Sequence, residues 1–136
     1  MREILFRGKR KDNGEWVEGN LFIPDKLDTP TQICIGTNII RITYDVIPET
    51  VGQYTGLTDK NGKKIFEGDI HERENHFFVV KYGKYRDCET NEDEYGWYFE
   101  YTHRKGCEGF DGTESQYVNI IGNIHDNPEL LKEGEG

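Results

Sequence analysis

Tyr95, Trp97, Phe99 and Tyr101 occupy every second position, while Tyr98, Glu100 and Thr102 take the positions between and after them. A period of two is the mark of a strand, whose successive side chains face opposite sides of a sheet. The apolar inventory agrees: 13 Ile, 6 Val and 17 aromatic residues stand against 6 Leu and no Ala. Side chains stiff at χ1 favour pleated surfaces, and the best helix formers are nearly missing, so an all-helical bundle is excluded. No run of 18 apolar residues is available for a membrane helix.

Turn signals divide the 136 residues into strands. Residues 2–8 alternate around Ile4 and Phe6, and Asn13-Gly14 suits a type I′ hairpin turn, which needs positive φ at both central positions. The return strand runs from Glu15 to Ile23, and residues 24–30 form a loop. Residues 32–36 and 38–44 read as a second hairpin, and Pro48 and Gly52 then break the pattern. A second block follows: a turn at Asp59-Lys60-Asn61-Gly62, a short strand Lys64–Phe66, a bend at Gly68-Asp69, a strand Ile70–Arg73, a tight turn at Glu74-Asn75 and a strand His76–Tyr82. Residues 83–94 are an acidic loop, 103–116 a Gly-rich polar loop, and Tyr117–Ile124 a last strand with Val118, Ile120 and Ile124 inward. Asn127 as N-cap and Pro128 at the first helical position predict a short helix over 128–133. The expectation is an all-β domain spanning residues 1–136, with one lobe over about 1–50 and a second over about 51–136. The element order of the second lobe suits an SH3-like barrel.

Charge is uneven along the chain. Residues 1–14 carry five basic side chains against two acidic ones, including Arg7, Lys9, Arg10 and Lys11, whereas residues 85–116 carry nine acidic against three basic. A net charge of −9 argues against coating of phosphate backbones and leaves nucleic acid only a local foothold in the basic arm. Cys34, Cys88 and Cys107 make an odd number, unlike the disulfide frameworks of small secreted domains. The charged start Met1-Arg2-Glu3 does not resemble a signal peptide, so the expected compartment is the cytoplasm.

No motif carries chemistry by itself. Asp59-x-Asn61-Gly62 begins like a calcium loop but places Gly fourth rather than sixth, which leaves a hairpin turn. His103, Cys107 and Cys88 supply three zinc ligands where a structural site takes four, so neither metal nor other cofactor is expected. Glu67-Gly68-Asp69 sets two carboxylates close in sequence, yet acid/base work needs contrasting environments and a cleft. His71, His76, His103 and His125 are scattered, and the phosphate-cradling glycine motifs are missing. The Tyr95, Trp97, Phe99 and Tyr101 face suits a core, a subunit interface or a platform for stacking bases. The adjoining acidic loop repels phosphate and favours the first two.

Three blocks together carry a family resemblance: Met1 to Arg7, Gln53 to Ile70 (QYTGLTDKNGKKIFEGDI), and Val118 to Leu131 (VNIIGNIHDNPELL). In this order and at this spacing they resemble the YopX family of bacteriophage and prophage proteins, over nearly the whole chain. Two positions depart from the family pattern. Gly8-Lys9 stands where a small residue followed by Trp-Asp is common, and His71 stands where the strand usually continues with an apolar residue. The resemblance implies a mainly β structure, a phage or host-cytoplasm setting, and no established activity. Tyr54, Thr55, Gly56, Leu57, Asp59, Asn61, Gly62, Glu67, Gly68 and Asp69 of the middle block are expected to be mainly architectural. The rival reading makes Asp59, Glu67 and Asp69 a functional patch. The expected function is a non-enzymatic accessory protein that binds another protein or itself as a homo-oligomer, without a membrane partner. Nucleic-acid binding through the basic arm and exposed aromatics ranks second, and an enzyme assembled from dispersed carboxylates and His ranks last.

Overall fold

The computed structural model describes residues 4–23, 30–36 and 41–132. Its strands are β1 (Phe6–Lys9), β2 (Trp16–Phe22), β3 (Gln32–Gly36), β4 (Arg41–Asp45), β5 (Gly52–Thr58), β6 (Lys64–Phe66), β7 (Asp69–Arg73), β8 (His76–Arg86), β9 (Asp93–Tyr101), β10 (Cys107–Gly109) and β11 (Ile120–Asn123). They form two antiparallel sheets, and the chain divides into two compact units at Tyr54/Thr55.

In the first unit the order is β4-β3-β2-β1, with Gly52 and Gln53 of β5 paired to Arg7 and Phe6 of β1. Ile33, Val46 and Tyr54 are its buried apolar residues. Gly19 is required by close approach: a Cβ there would collide with the Cys34 carbonyl of the neighbouring strand. The ends of the predicted strand 2–8 and of the loop 24–30, and the turn and strand start at 37–40, lie partly or wholly outside the described residues.

The hairpin turns correct the sequence reading. Gly14 has positive φ but Asn13 does not, so this connection is not type I′; the Asn13 side-chain oxygen instead accepts the Glu15 N–H at 2.9 Å. The turn that does meet the type I′ requirement is Glu74-Asn75, with φ of 53° and 67° between the paired residues Arg73 and His76.

In the second unit β6 follows β5 at the edge of one sheet, and the other sheet has the order β10-β9-β8-β7-β11. Ile65, Phe78, Val80, Phe99, Tyr101, Phe110, Val118 and Ile120 form its core, with Leu57 and Trp97 packed against it. Each large apolar side chain here contributes about 1.5–3 kcal/mol relative to leaving it in water. β10 and β11 lie at opposite edges, so the described residues form no closed barrel, and the expected SH3-like barrel is not confirmed. The acidic loop is shorter than predicted, because β8 runs on to Arg86 and β9 resumes at Asp93. The Gly-rich segment contains β10 and the 3₁₀ turn Ser115–Tyr117, and the last strand is confined to Ile120–Asn123. Pro128–Lys132 is a 3₁₀ turn, and the Asn127 side chain accepts the Asn123 N–H rather than capping that turn; residue 133 lies outside the described residues. No helix of the described residues is long and apolar enough to cross a membrane.

Candidate functional site

The middle block is held by two buried carboxylates. Asp59 is 5% exposed; one oxygen accepts the N–H groups of Asn61 and Lys63 at 2.9 Å each, and the other accepts the Ile120 N–H at 3.2 Å. Burial pushes its carboxyl up, but the three N–H groups outweigh burial and hold it below the usual range. Asp69, also buried, accepts the Phe66 N–H at 2.7 Å and closes the bend. At that bend Gly68 has φ of 91°, its N–H donates to Val80 and its carbonyl accepts from Ile124. Buried Thr55 accepts the Leu57 N–H through Oγ1, Gly56 and Gly62 have positive φ, and Glu67 is half-buried. Tyr54 is buried in the first unit, its N–H donating to Leu5, and the Asn61 residue is exposed at the turn. The side chains of Asp59, Asp69 and Thr55 thus satisfy backbone N–H groups.

The aromatic face runs from core to surface. Phe78, Val80, Tyr82 and Lys84 of β8 pair with Tyr101, Phe99, Trp97 and Tyr95 of β9, all on one side of the hairpin. Phe99 and Tyr101 are buried and Trp97 half-buried, but Tyr82 is 47% and Tyr95 73% exposed. Tyr82 meets Trp97 and Tyr95 edge-on, with ring centroids at 4.8 and 5.6 Å. Beside these rings Lys84 and Arg86 lie 3.8 and 3.1 Å from the Asp93 carboxylate.

A cleft of about 500 Å³ opens in the second unit, floored by Phe99 and Val118 and walled by His71, Arg73, Glu108 and Glu114. His71 projects from β7 into an aromatic nest, stacked on Phe99 at 4.9 Å and tilted against Phe78 at 5.5 Å. The Asn119 N–H donates to its Nδ1 at 2.9 Å, so the neutral ring carries its proton on Nε2. Burial holds this imidazole below its ordinary range, helped by the Arg73 charge, against the Asn119 carbonyl, Glu108 and Glu72. Arg73 donates to Glu108 at 2.7 Å, and the Tyr101 hydroxyl donates to the other Glu108 oxygen at 2.8 Å. Burial raises Glu108, yet these two donors bring its carboxyl below the usual range. Glu114 is pushed up by burial and by the neighbouring carboxylates of Asp111, Glu108 and Glu89. The Asp87 oxygens accept the N–H groups of Glu89, Thr90 and Gly109, which fixes one wall and lowers its carboxyl.

Arg7, Lys9 and Arg10 of the basic arm are engaged locally, and Lys11 is exposed. Arg7 is buried with its guanidinium 4.6 Å from the Trp16 ring, Lys9 reaches the same ring, and Arg10 pairs with Asp12 and covers Tyr44. Cys88 Sγ lies 2.9 Å from the Tyr101 hydroxyl, and the His103 ring stacks on His76 at 4.0 Å. Among the described residues no three His, Cys, Asp or Glu side chains form a group able to hold a metal ion. Sequence reasoning did not gather His71, Arg73, Glu108 and Glu114, which come from separate stretches of chain; the departure from the family pattern at His71 was the available signal.

A protein-family model described as "YopX protein" matches residues 5–132. The crystal structure of protein EF1440 from Enterococcus faecalis is similar, with a TM-score of 0.58 at 23% identity, covering 96% of this chain and 99% of that one. A likeness at that identity speaks for the fold alone. No curated protein matches the sequence.

Proposed function

The chain belongs to the YopX family, and from that premise we propose that it is a phage or prophage accessory protein of the host cytoplasm, acting as a non-enzymatic interaction module that associates with copies of itself. The observation that carries this reading is the open end of the aromatic face. Tyr82 and Tyr95 are well exposed, yet they pack edge-on with each other, and Tyr82 packs edge-on with Trp97, so they present an ordered apolar surface. Aromatic residues dominate the centres of protein interfaces, because each buries a large area at little conformational cost. The net charge of −9 opposes the approach of a second copy, but Lys84 and Arg86 against Asp93 give this patch a locally compensated rim. Against catalysis, Asp87 and Glu108 in the cleft are committed to internal hydrogen bonds. Against nucleic acid, Arg7 and Arg10 of the basic arm already lie against Trp16, Tyr44 and Asp12.

Light scattering and sedimentation test the proposal. At ~50 µM, in the range where weak interfaces populate, the parent should exceed the 15.9 kDa of one chain. The Tyr82→Ser/Tyr95→Ser double variant should run as a monomer with an unchanged fold. A monomeric parent at that concentration, or a variant that assembles like the parent, refutes self-association through this face.

A further inference from the structure

The cleft holds features that neither the fold nor the aromatic patch uses. Its side chains include the carboxylates of Asp87, Glu89, Glu108 and Glu114 against the single guanidinium of Arg73. Asp87 and Glu108 are satisfied internally, whereas the Glu114 carboxylate has no hydrogen bond or salt bridge among the described residues. An acidic wall is by itself only a solvated surface; the independent observation is His71. Its side chain is 2% exposed and one ring nitrogen is fixed by Asn119, but nothing among the described residues hydrogen-bonds Nε2. Nε2 is not sealed from solvent, so its N–H can give its hydrogen bond to a group that enters the cleft. His71 lines the cleft, so Nε2–H is the polar atom its ring offers there. The cavity also has the size usual for small-ligand sites, with an apolar floor of Phe99 and Val118.

We propose that this cleft binds an organic cation: an alkyl guanidinium or ammonium group that lies against Glu114 and Glu89, on a body whose carbonyl or carboxylate oxygen accepts a hydrogen bond from His71 Nε2. An anion would meet more carboxylates than cations here, and a bare divalent ion would find no three-ligand group. A basic amino acid meets both requirements, either free or as a residue in a peptide. The cation would also relieve the repulsion that Glu114 now feels from Glu108, Asp111 and Glu89.

The test is a low-salt NMR titration of the isotope-labelled full chain with N-acetyl-arginine-N-methylamide, free arginine, agmatine and N-acetyl-glutamate-N-methylamide. The two arginine probes should give saturable shifts at His71, Glu114 and Phe99, and the glutamate probe none. Agmatine, which lacks the oxygen, should bind at least threefold more weakly, consistent with the loss of about one hydrogen bond. Glu114→Gln, at an exposed position, should weaken the arginine probes about threefold to fivefold, the scale of one partly exposed ion pair. Capped arginine binding more tightly than free arginine supports a peptide source, and the reverse supports a free amino acid. No saturation by ~20 mM, equal binding of the glutamate probe or agmatine, or unchanged affinity in Glu114→Gln overturns the proposal.

Discussion

Replacing Asp59 by Ala removes one carboxylate and strands three backbone donors. The N–H groups of Asn61 and Lys63 belong to an exposed turn, so water can partly replace the lost acceptor, and each should cost about 0.5–1 kcal/mol. The Ile120 N–H is different: it sits on a buried residue of β11, and leaving it unsatisfied costs about 1–3 kcal/mol. The expected total is ~3 kcal/mol, a large share of the 5–15 kcal/mol that holds an ordinary domain. At about 4 °C per kcal/mol for a domain near this size, Asp59→Ala should melt roughly 12 °C below the parent at pH 7. Asp59→Asn keeps the shape and one acceptor oxygen but turns an amide toward a donor, so its loss should be intermediate. Acid supplies an internal control. The folded carboxyl is held below its ordinary range, so its contribution is present above the unfolded value near pH 3.9 and fades as pH falls through the folded value. The gap between parent and Asp59→Ala should therefore narrow below about pH 4. Thermal melts at pH 7 and pH 3 decide the matter. A variant melting within ~2 °C of the parent at pH 7, or a gap that does not narrow in acid, refutes the role given to this carboxylate.

Gly68→Val forces a β-branched residue to φ of 91° and should cost about 1–3 kcal/mol by chemical denaturation. A Cβ there meets Ile124 only at an ordinary 3.7 Å, so Gly68→Ala should also destabilise, through the backbone rather than a clash. His71 is held below its ordinary value, so the unfolded chain takes up the proton first as pH falls; parent stability should decline below about pH 6.5. His71→Phe should show a smaller melting difference between pH 7 and pH 5 than the parent, and an equal difference would contradict a buried neutral ring. Arg73→Gln leaves the half-buried Glu108 carboxylate with only the Tyr101 donor, so an NMR titration of Glu108 should find its pKa raised relative to the parent.

What the sequence revealed and what it hid follow from how far apart the interacting groups lie. Period-two alternation is local, so β9 and the side that its aromatics share were legible from residues 95–101 alone. Depth is not local: Tyr95 and Phe99 share that side, yet one is exposed and the other is covered by Phe110, stacked at 4.2 Å from a segment that read as loop. Asn-Gly pairs marked turns correctly but not their type, because Asn13 keeps negative φ and lets its side chain bond Glu15, whereas Glu74 and Asn75 take positive φ between paired strands. Asp59 read as a turn residue, and two of its three bonds are indeed within four residues; the third reaches Ile120, 61 residues away, which makes it a buried clamp. The cleft is non-local throughout. Its walls come from β7, from β10 and from the turn that follows, and they meet only because the sheet order places β7 and β10 on either side of the β8–β9 hairpin. Its one local trace is His71, which departs from the family pattern with a ring whose two nitrogens each take a hydrogen-bond partner. Asn119 supplies one, and the cleft is where the other is left to look.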